Sequence, residues 1–359
     1  MAYTIKMKMR RYIINIYHLL SIDKLLTFCG VNDGKINASI KKFKGNTDRK
    51  NTFLLRKDIK SCYYKYLTTP DEYFLFGFES NTSAFYREAF LTDNYKIRCL
   101  LRTISEEKYV NDLCDKYNFY KISREYFKRD AMLVEQRTSR NEFLEFTKNH
   151  KELFIKPLSD SFGRGAKAIS IGHLEEVDAL YKELSSRGSW IVEERIHQCK
   201  ETEFWNKSSV NSVRLPCFLS NGQFHVLAPF FRTGRKGAVV DNAGGGGIFA
   251  CIDPNTGIIS SDGVDEMNHY YEKHPDSGLT YRGWEVPQWQ ELLIMAEKIF
   301  RQCFPEHRYI GFDFALTERG WVLIEGNWGQ FVSQYNDKVG VKEQFVRYLK
   351  DNICHSFLR

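Results

Sequence analysis

Gly311-Phe312-Asp313-Phe314 and Leu323-Ile324-Glu325-Gly326-Asn327 carry the most informative polar residues of this 359-residue chain. Both stretches read as strands, joined across the turn sequence Glu318-Arg319-Gly320. Asp313, Glu325 and Asn327 are the polar positions in otherwise apolar surroundings. Residues two apart in an extended strand share a face, so Glu325 and Asn327 point the same way, and Asp313 on the partner strand can join them. Two carboxylates and a carboxamide oxygen, with no His or Cys, suit a hard cation such as magnesium held together with phosphate oxygens. Solvated strand ends would also use these residues, but their alternation with Phe, Leu and Ile on a shared face favours the metal.

Working outward, residues 153–156 form a short apolar strand ending in Lys156-Pro157. A loop with Ser159, Ser161, Gly163, Arg164 and Gly165 follows, then a second strand over 168–171. A lysine at a strand end before a loop of small residues can set an ammonium and backbone N–H groups on a polyphosphate. The loop lacks the spacing of a Walker A motif, and G-x-G alone is shared with many ordinary turns. A helix over 174–185 leads to the strand Trp190-Ile191-Val192-Glu193-Glu194-Arg195-Ile196, which can offer backbone groups and a carboxylate to an adenine edge. Further strands are expected over 210–219, 224–232, 247–252, 309–316 and 321–325, with a helix over 289–303. Ser220-Asn221-Gly222 supports an antiparallel hairpin. Asn211 and Arg214 lie three apart, and arginine stabilises a phosphoryl group or tetrahedral oxyanion.

Towards the N-terminus, residues 1–26 are basic and then apolar at Ile13, Ile14, Ile16, Tyr17, Leu19 and Leu20, as in an amphipathic helix. Such a helix packs on its own domain or makes weak membrane-surface contact, the first being the commoner use. Residues 51–121 are dense in aromatics and broken midway by Pro70-Asp71, which predicts a mixed helix and strand lobe with aromatics filling a core. Helical periodicity covers 112–127 and 140–150. The net charge of +7 suits anionic ligands, but the basic residues are dispersed and no motif that reads nucleic acid accompanies them. Nine cysteines, odd in number and without C-x-x-C, read as reduced thiols in a cytoplasmic protein.

Five blocks in order resemble the ATP-grasp superfamily, and within it the sugar-transfer-associated branch of polysaccharide biosynthesis. They are Asp115-Lys116-Tyr117; Phe154-Ile155-Lys156-Pro157 with its glycine loop; Val192-Glu193-Glu194 through to Arg214; Asp241-Asn242 with Gly244 to Gly247 and the stretch up to Gly257; and the hairpin quoted first. The resemblance implies an α+β ATP-grasp fold: an N-terminal lobe over 1–110 and two subdomains, 111–197 and 198–359, sandwiching ATP. By position it makes Lys116 and Lys156 the phosphate lysines, helped by Ser161, Gly163 and Gly165. Glu193, with the backbone of Glu194 and Ile196, becomes the adenine clamp, and Asn211 a phosphate neighbour. Asp313, Glu325 and Asn327 become magnesium ligands, and Arg214 with Lys156 the catalytic residues. Glu201 and Glu203 are candidates for the ribose, Asp241 and Asn242 for the acceptor. The implied activity is an ADP-forming ligase that activates a carboxylate as an acyl phosphate and passes it to an amine. A phosphotransferase making a stable ester and a non-catalytic nucleotide-binding subunit are the alternatives.

Overall fold

The computed structural model describes residues 31–46, 48–100, 106–158, 165–327 and 329–349. The amphipathic segment 1–26 and the loop residues Ser161 and Gly163 lie outside them. The chain divides into two compact units, residues 1–88 with 92–96, and residues 89–91 with 97–359.

In the first unit the helices Asp33–Lys44, Arg49–Tyr66 and Pro70–Leu75 are capped at their N-termini by Asn32, Asp48 and Thr69. Among its described residues there is no strand, unlike the mixed lobe expected. Pro70-Asp71, read as a break, instead starts a helix. Proline is favoured at the first helical position, and Thr69 and Glu72 close a reciprocal capping box around it. Tyr73, Phe74, Phe76 and Phe78 are all buried and form core.

The second unit is α+β, built on two antiparallel sheets. The smaller has the order β1-β4-β2-β3, where β1 is Ala131–Val134, β2 Glu152–Pro157, β3 Lys167–Ser170 and β4 Trp190–Glu194. Its apolar face, Val134, Leu153, Ile155 and Val192, packs on Phe143 of the helix Arg140–Asn149 and on Val177, Leu180 and Leu184 of the helix Leu174–Ser186.

The larger sheet runs β10-β9-β8-β7-β5-β11-β12, with β6 pairing on β5. Its strands are β5 Ser212–Ser220, β6 Gln223–Val226, β7 Phe230–Thr233, β8 Ile248–Cys251, β9 Gly263–Val264, β10 Tyr270–Tyr271, β11 Tyr309–Thr317 and β12 Gly320–Asn327. Val213, Leu215, Phe231, Phe312, Phe314 and Leu323 pack into one core with Leu292, Ala296, Ile299 and Phe300 of the helix Trp289–Cys303 and Phe119 of the helix Lys116–Phe127. The spacing of the first helix, 292, 296, 299 and 300, is the stripe a single buried face requires.

Two local features depart from simple alternation. The single strand expected over 224–232 is two, because Ala228 takes a left-handed φ of 56° and Pro229 has no N–H for the ladder. On β12 the pairing passes from Asp313 with Glu325 to Phe314 with Leu323, leaving Ile324 as an extra residue. That bulge reverses the phase of the strand, so Leu323 faces the core while Glu325 and Asn327 turn to the opposite face.

Gly326 sits between those two polar residues for a packing reason. A Cβ there would meet the Phe119 ring at 2.4 Å. Gly326→Ala is therefore expected to cost about 1–3 kcal/mol by overpacking, read as a lower urea midpoint with an unchanged slope.

Candidate active site

Strands β7, β5, β11 and β12 are neighbours in the larger sheet. In register, Arg232 opposes Ser212, Arg214 opposes Asp313, and Asp313 opposes Glu325. One face thus gathers charged side chains from four strands, while the other face is core.

Asp313, 1% exposed, is the centre of the group. Arg214 clasps it with Nε on Oδ1 and Nη2 on Oδ2, each at 2.5 Å. Arg232 Nη2 adds a bond to Oδ2 at 2.9 Å and donates to Ser212 Oγ at 2.7 Å. Ser212 in turn donates to Asp241, whose Oδ2 lies 3.6 Å from Arg232 Nε. Burial pushes the Asp313 carboxyl up, but the guanidiniums of Arg214 and Arg232 outweigh it and hold the group down at about 2. Burial raises Asp241, only partly offset by Arg232.

Glu325 is differently placed. Its Oε1 is 3.7 Å from Arg214 Nη2 and accepts from Asn327 Nδ2 at 3.3 Å, and 35% of its side chain stays open. Burial and then the Asp313 charge push its carboxyl above the ordinary range, with Lys156, Arg214 and Arg232 pulling the other way. Among the described residues Asn327 Oδ1 is buried and has no hydrogen-bond partner. A buried orphan acceptor beside two mutually repelling acids is an oxygen set that a hard cation would satisfy. Among the described residues no group of three or more His, Cys, Asp and Glu is placed to hold a metal. Glu325 and Asn327 present oxygens that a magnesium ion could share with phosphates, whereas both oxygens of Asp313 are already bonded to Arg214 and Arg232, so Asp313 would join them only by giving up an arginine bond.

The small sheet supplies the other candidates. Lys156 Nζ lies 2.6 Å from Glu193 Oε1, and Arg129 Nη2 lies 2.6 Å from Glu193 Oε2. Glu193 is 2% exposed with an oxygen on each of these cations, so its side chain is not free to clamp adenine as expected, and of that group only the backbone at Glu194 and Ile196 is left for the base. Burial raises the Glu193 carboxyl, but Lys156 and Arg129 bring it down to about 2. Lys116 opens its helix behind the Asp115 cap and donates to the Pro157 carbonyl at 2.8 Å, which sets it beside the end of β2 next to Lys156. Gly165 has a left-handed φ of 73° where the loop re-enters β3. Glu194 ends β4, and Ile196 lies just beyond it.

Two candidates are engaged elsewhere. Asn211 Nδ2 donates to Gln198 Oε1, Thr202 O and Asn206 O, and its Oδ1 accepts from Gly234 N, so its described bonds do not reach the Arg214 group. Asn242 Oδ1 accepts from Gly245 N at 3.0 Å and so shapes the glycine run. Glu201 and Glu203 lie on the short helix Lys200–Glu203. Ser212, Arg232 and Arg129 were not anticipated. The signal for Arg232 was present, a lone cation in an apolar strand, whereas Arg129 stands in Lys128-Arg129-Asp130, which reads as solvated surface.

The family model described as sugar-transfer associated ATP-grasp matches residues 95–343, well over half of the chain. The chain belongs to this ATP-grasp family. No curated protein matches it. Solved structures that it is similar to include D-alanyl-alanine synthetase A from Vibrio cholerae, with 13% identity, TM-score 0.38 and coverage of 69% of this chain and 63% of that one. The ATP-grasp ligase PsnB bound to a minimal precursor gives 9% identity, TM-score 0.42 and coverage of 70% and 64%. D-alanine–D-alanine ligase from Helicobacter pylori gives 14%, 0.41, 67% and 62%. The chain spans less than two thirds of the length of each of these. Among the described residues of this ATP-grasp protein, no helix is long and apolar enough to cross a membrane.

Proposed function

We propose that this chain is an ADP-forming carboxylate–amine ligase whose carboxylate is an acidic sugar, such as a uronic acid of a capsule or O-antigen, and whose amine is an amino acid or small amine. The observation that supports this reading best is the pair of guanidiniums, Arg214 and Arg232, packed around Asp313 next to Glu325 and the orphaned Asn327 oxygen. Fixed positive groups in a largely dry site stabilise charge that develops on transferred oxygens without reorganising.

In this reading Lys116 and Lys156 neutralise ATP phosphates, and the β4 end near Glu194 and Ile196 holds the base. Magnesium on Glu325 and Asn327, joined by Asp313 only if it gives up an arginine bond, would offset phosphate charge. A carboxylate oxygen of the sugar attacks the γ-phosphorus and ADP leaves. Arg214 steadies the phosphoryl group in flight. The amine then attacks the acyl carbon, the oxyanion forms next to Arg214, and phosphate departs as the nitrogen gives up a proton. Asp241 is suited to the incoming amine, since its carboxylate is buried beside the glycine run.

The test is an ADP-release screen of uronic acids and nucleotide-linked sugar acids against amino acids and small amines, with products read by mass spectrometry. ADP together with an amide is the expected result. A stable phosphate ester in place of the amide would overturn the ligase reading in favour of a phosphotransferase.

A further inference from the structure

Arg129 has no part in the reading above, yet it is among the most constrained side chains of the second unit. It is 8% exposed. Its Nε and Nη2 donate to Glu193 Oε2 at 3.1 and 2.6 Å, and its Nη1 donates to the carbonyls of Leu323 at 2.7 Å and Phe127 at 3.2 Å. The guanidinium also lies 4.5 Å from the Phe127 ring centroid. The result is a continuous chain from Lys156 on β2, through Glu193 on β4 and Arg129, to the backbone of β12 at Leu323, next to the extra residue Ile324 of the bulge. Glu193 therefore serves two cations, one on each oxygen.

The two cations differ in freedom. Among the described residues Lys156 makes one ion pair, to Glu193, at the end of a flexible stem, and its charge also acts on Glu325. Arg129 is pinned by bonds to both an acid and two carbonyls, and cannot follow a ligand without breaking them. A lysine that serves the phosphates of ATP has to leave Glu193. Stripping the only partner from a carboxylate this deeply buried is strongly unfavourable. With Arg129 in place, the departing lysine leaves behind a neutral, hydrogen-bonded pair.

We propose that Arg129 is a positioning residue that keeps the Glu193 charge compensated while Lys156 passes from Glu193 to the nucleotide phosphates, and thereby sets how readily that lysine is released. The proposal rests on the reading of Lys156 as a phosphate lysine. Without Arg129, Glu193 would retain Lys156 as its sole counter-ion, and ATP would have to compete with a buried anion for it.

The test is a calorimetric titration of the full chain with the β,γ-imido analogue of ATP and magnesium. Arg129→Met is expected to weaken binding at least about tenfold, and the added substitution Glu193→Gln is expected to recover most of that loss, because no carboxylate is left to retain the lysine. Arg129→Lys, which keeps the charge and guards against a folding defect in the methionine variant, is expected to bind within a few-fold of wild type. A double variant no tighter than Arg129→Met, or a lysine variant as weak as the methionine one, would mean that Arg129 only packs, and the proposal falls. Wild-type protein that does not bind the analogue at all would overturn the nucleotide reading itself, an outcome separate from wild-type binding that Arg129→Met leaves unchanged.

Discussion

Glu325→Ala is expected to abolish ADP formation, by about a thousandfold or more, while the fold survives. The two halves of that expectation have separate causes. Asp313 keeps both of its arginines whether or not Glu325 is present, so no buried cation is orphaned by the change. Glu325 is itself held at a cost, since burial and the neighbouring Asp313 charge disfavour its ionised form, and 35% of its side chain faces open space. Removing it leaves stability close to that of wild type. Function is another matter, because Asn327 Oδ1 and a fully engaged Asp313 would be the only oxygens left for a hard cation and its phosphates. Thermal unfolding and a coupled ADP assay on one preparation separate the effects. Wild-type turnover in the alanine variant would refute the metal assignment. A collapse of the unfolding transition would show instead that Glu325 supports the sheet.

The reach and the limit of sequence reading are both visible in this hairpin. Alternation of polar and apolar residues was enough to single out Asp313, Glu325 and Asn327 as a group. It could not supply the bulge at Ile324, since strict alternation from Leu323 would have sent Glu325 into the core. Only the pairing of β12 with β11 settles the phase. The first unit shows a similar limit: Pro70 reads as a breaker, but its place one residue after Thr69 makes it a helix opener. Arg129 was hidden for a different reason. Its neighbours Lys128 and Asp130 are charged, and nothing local says that one of three adjacent charges turns inward to a partner 64 residues away. Long-range ion pairs of this kind belong to the tertiary fold and leave no periodic trace.

Arg214→Ala is expected to slow the chemical step by about two to three orders of magnitude while weakening nucleotide binding far less. The guanidinium is turned towards Asp313 and Glu325, and its described ion pairs do not include Glu193, the partner of Lys156. An interaction made chiefly in the transition state is lost from kcat, whereas a uniform binding contact is lost from KM. The complication is stability. Arg214 provides two of the bonds on a carboxylate that is 1% exposed, and removing one partner of such a pair costs about 3–5 kcal/mol when nothing replaces it. Arg232 remains on Asp313 Oδ2 and moderates that cost. Arg214→Lys resolves the ambiguity, because an ammonium preserves the charge but not the bidentate fork. If Arg214 acts on the phosphoryl group, the lysine variant folds like wild type, binds the imido analogue nearly as well, and still turns over slowly. If Arg214 merely holds the nucleotide, affinity and turnover fall together in both variants, and the assignment of this arginine to the transferred group is lost.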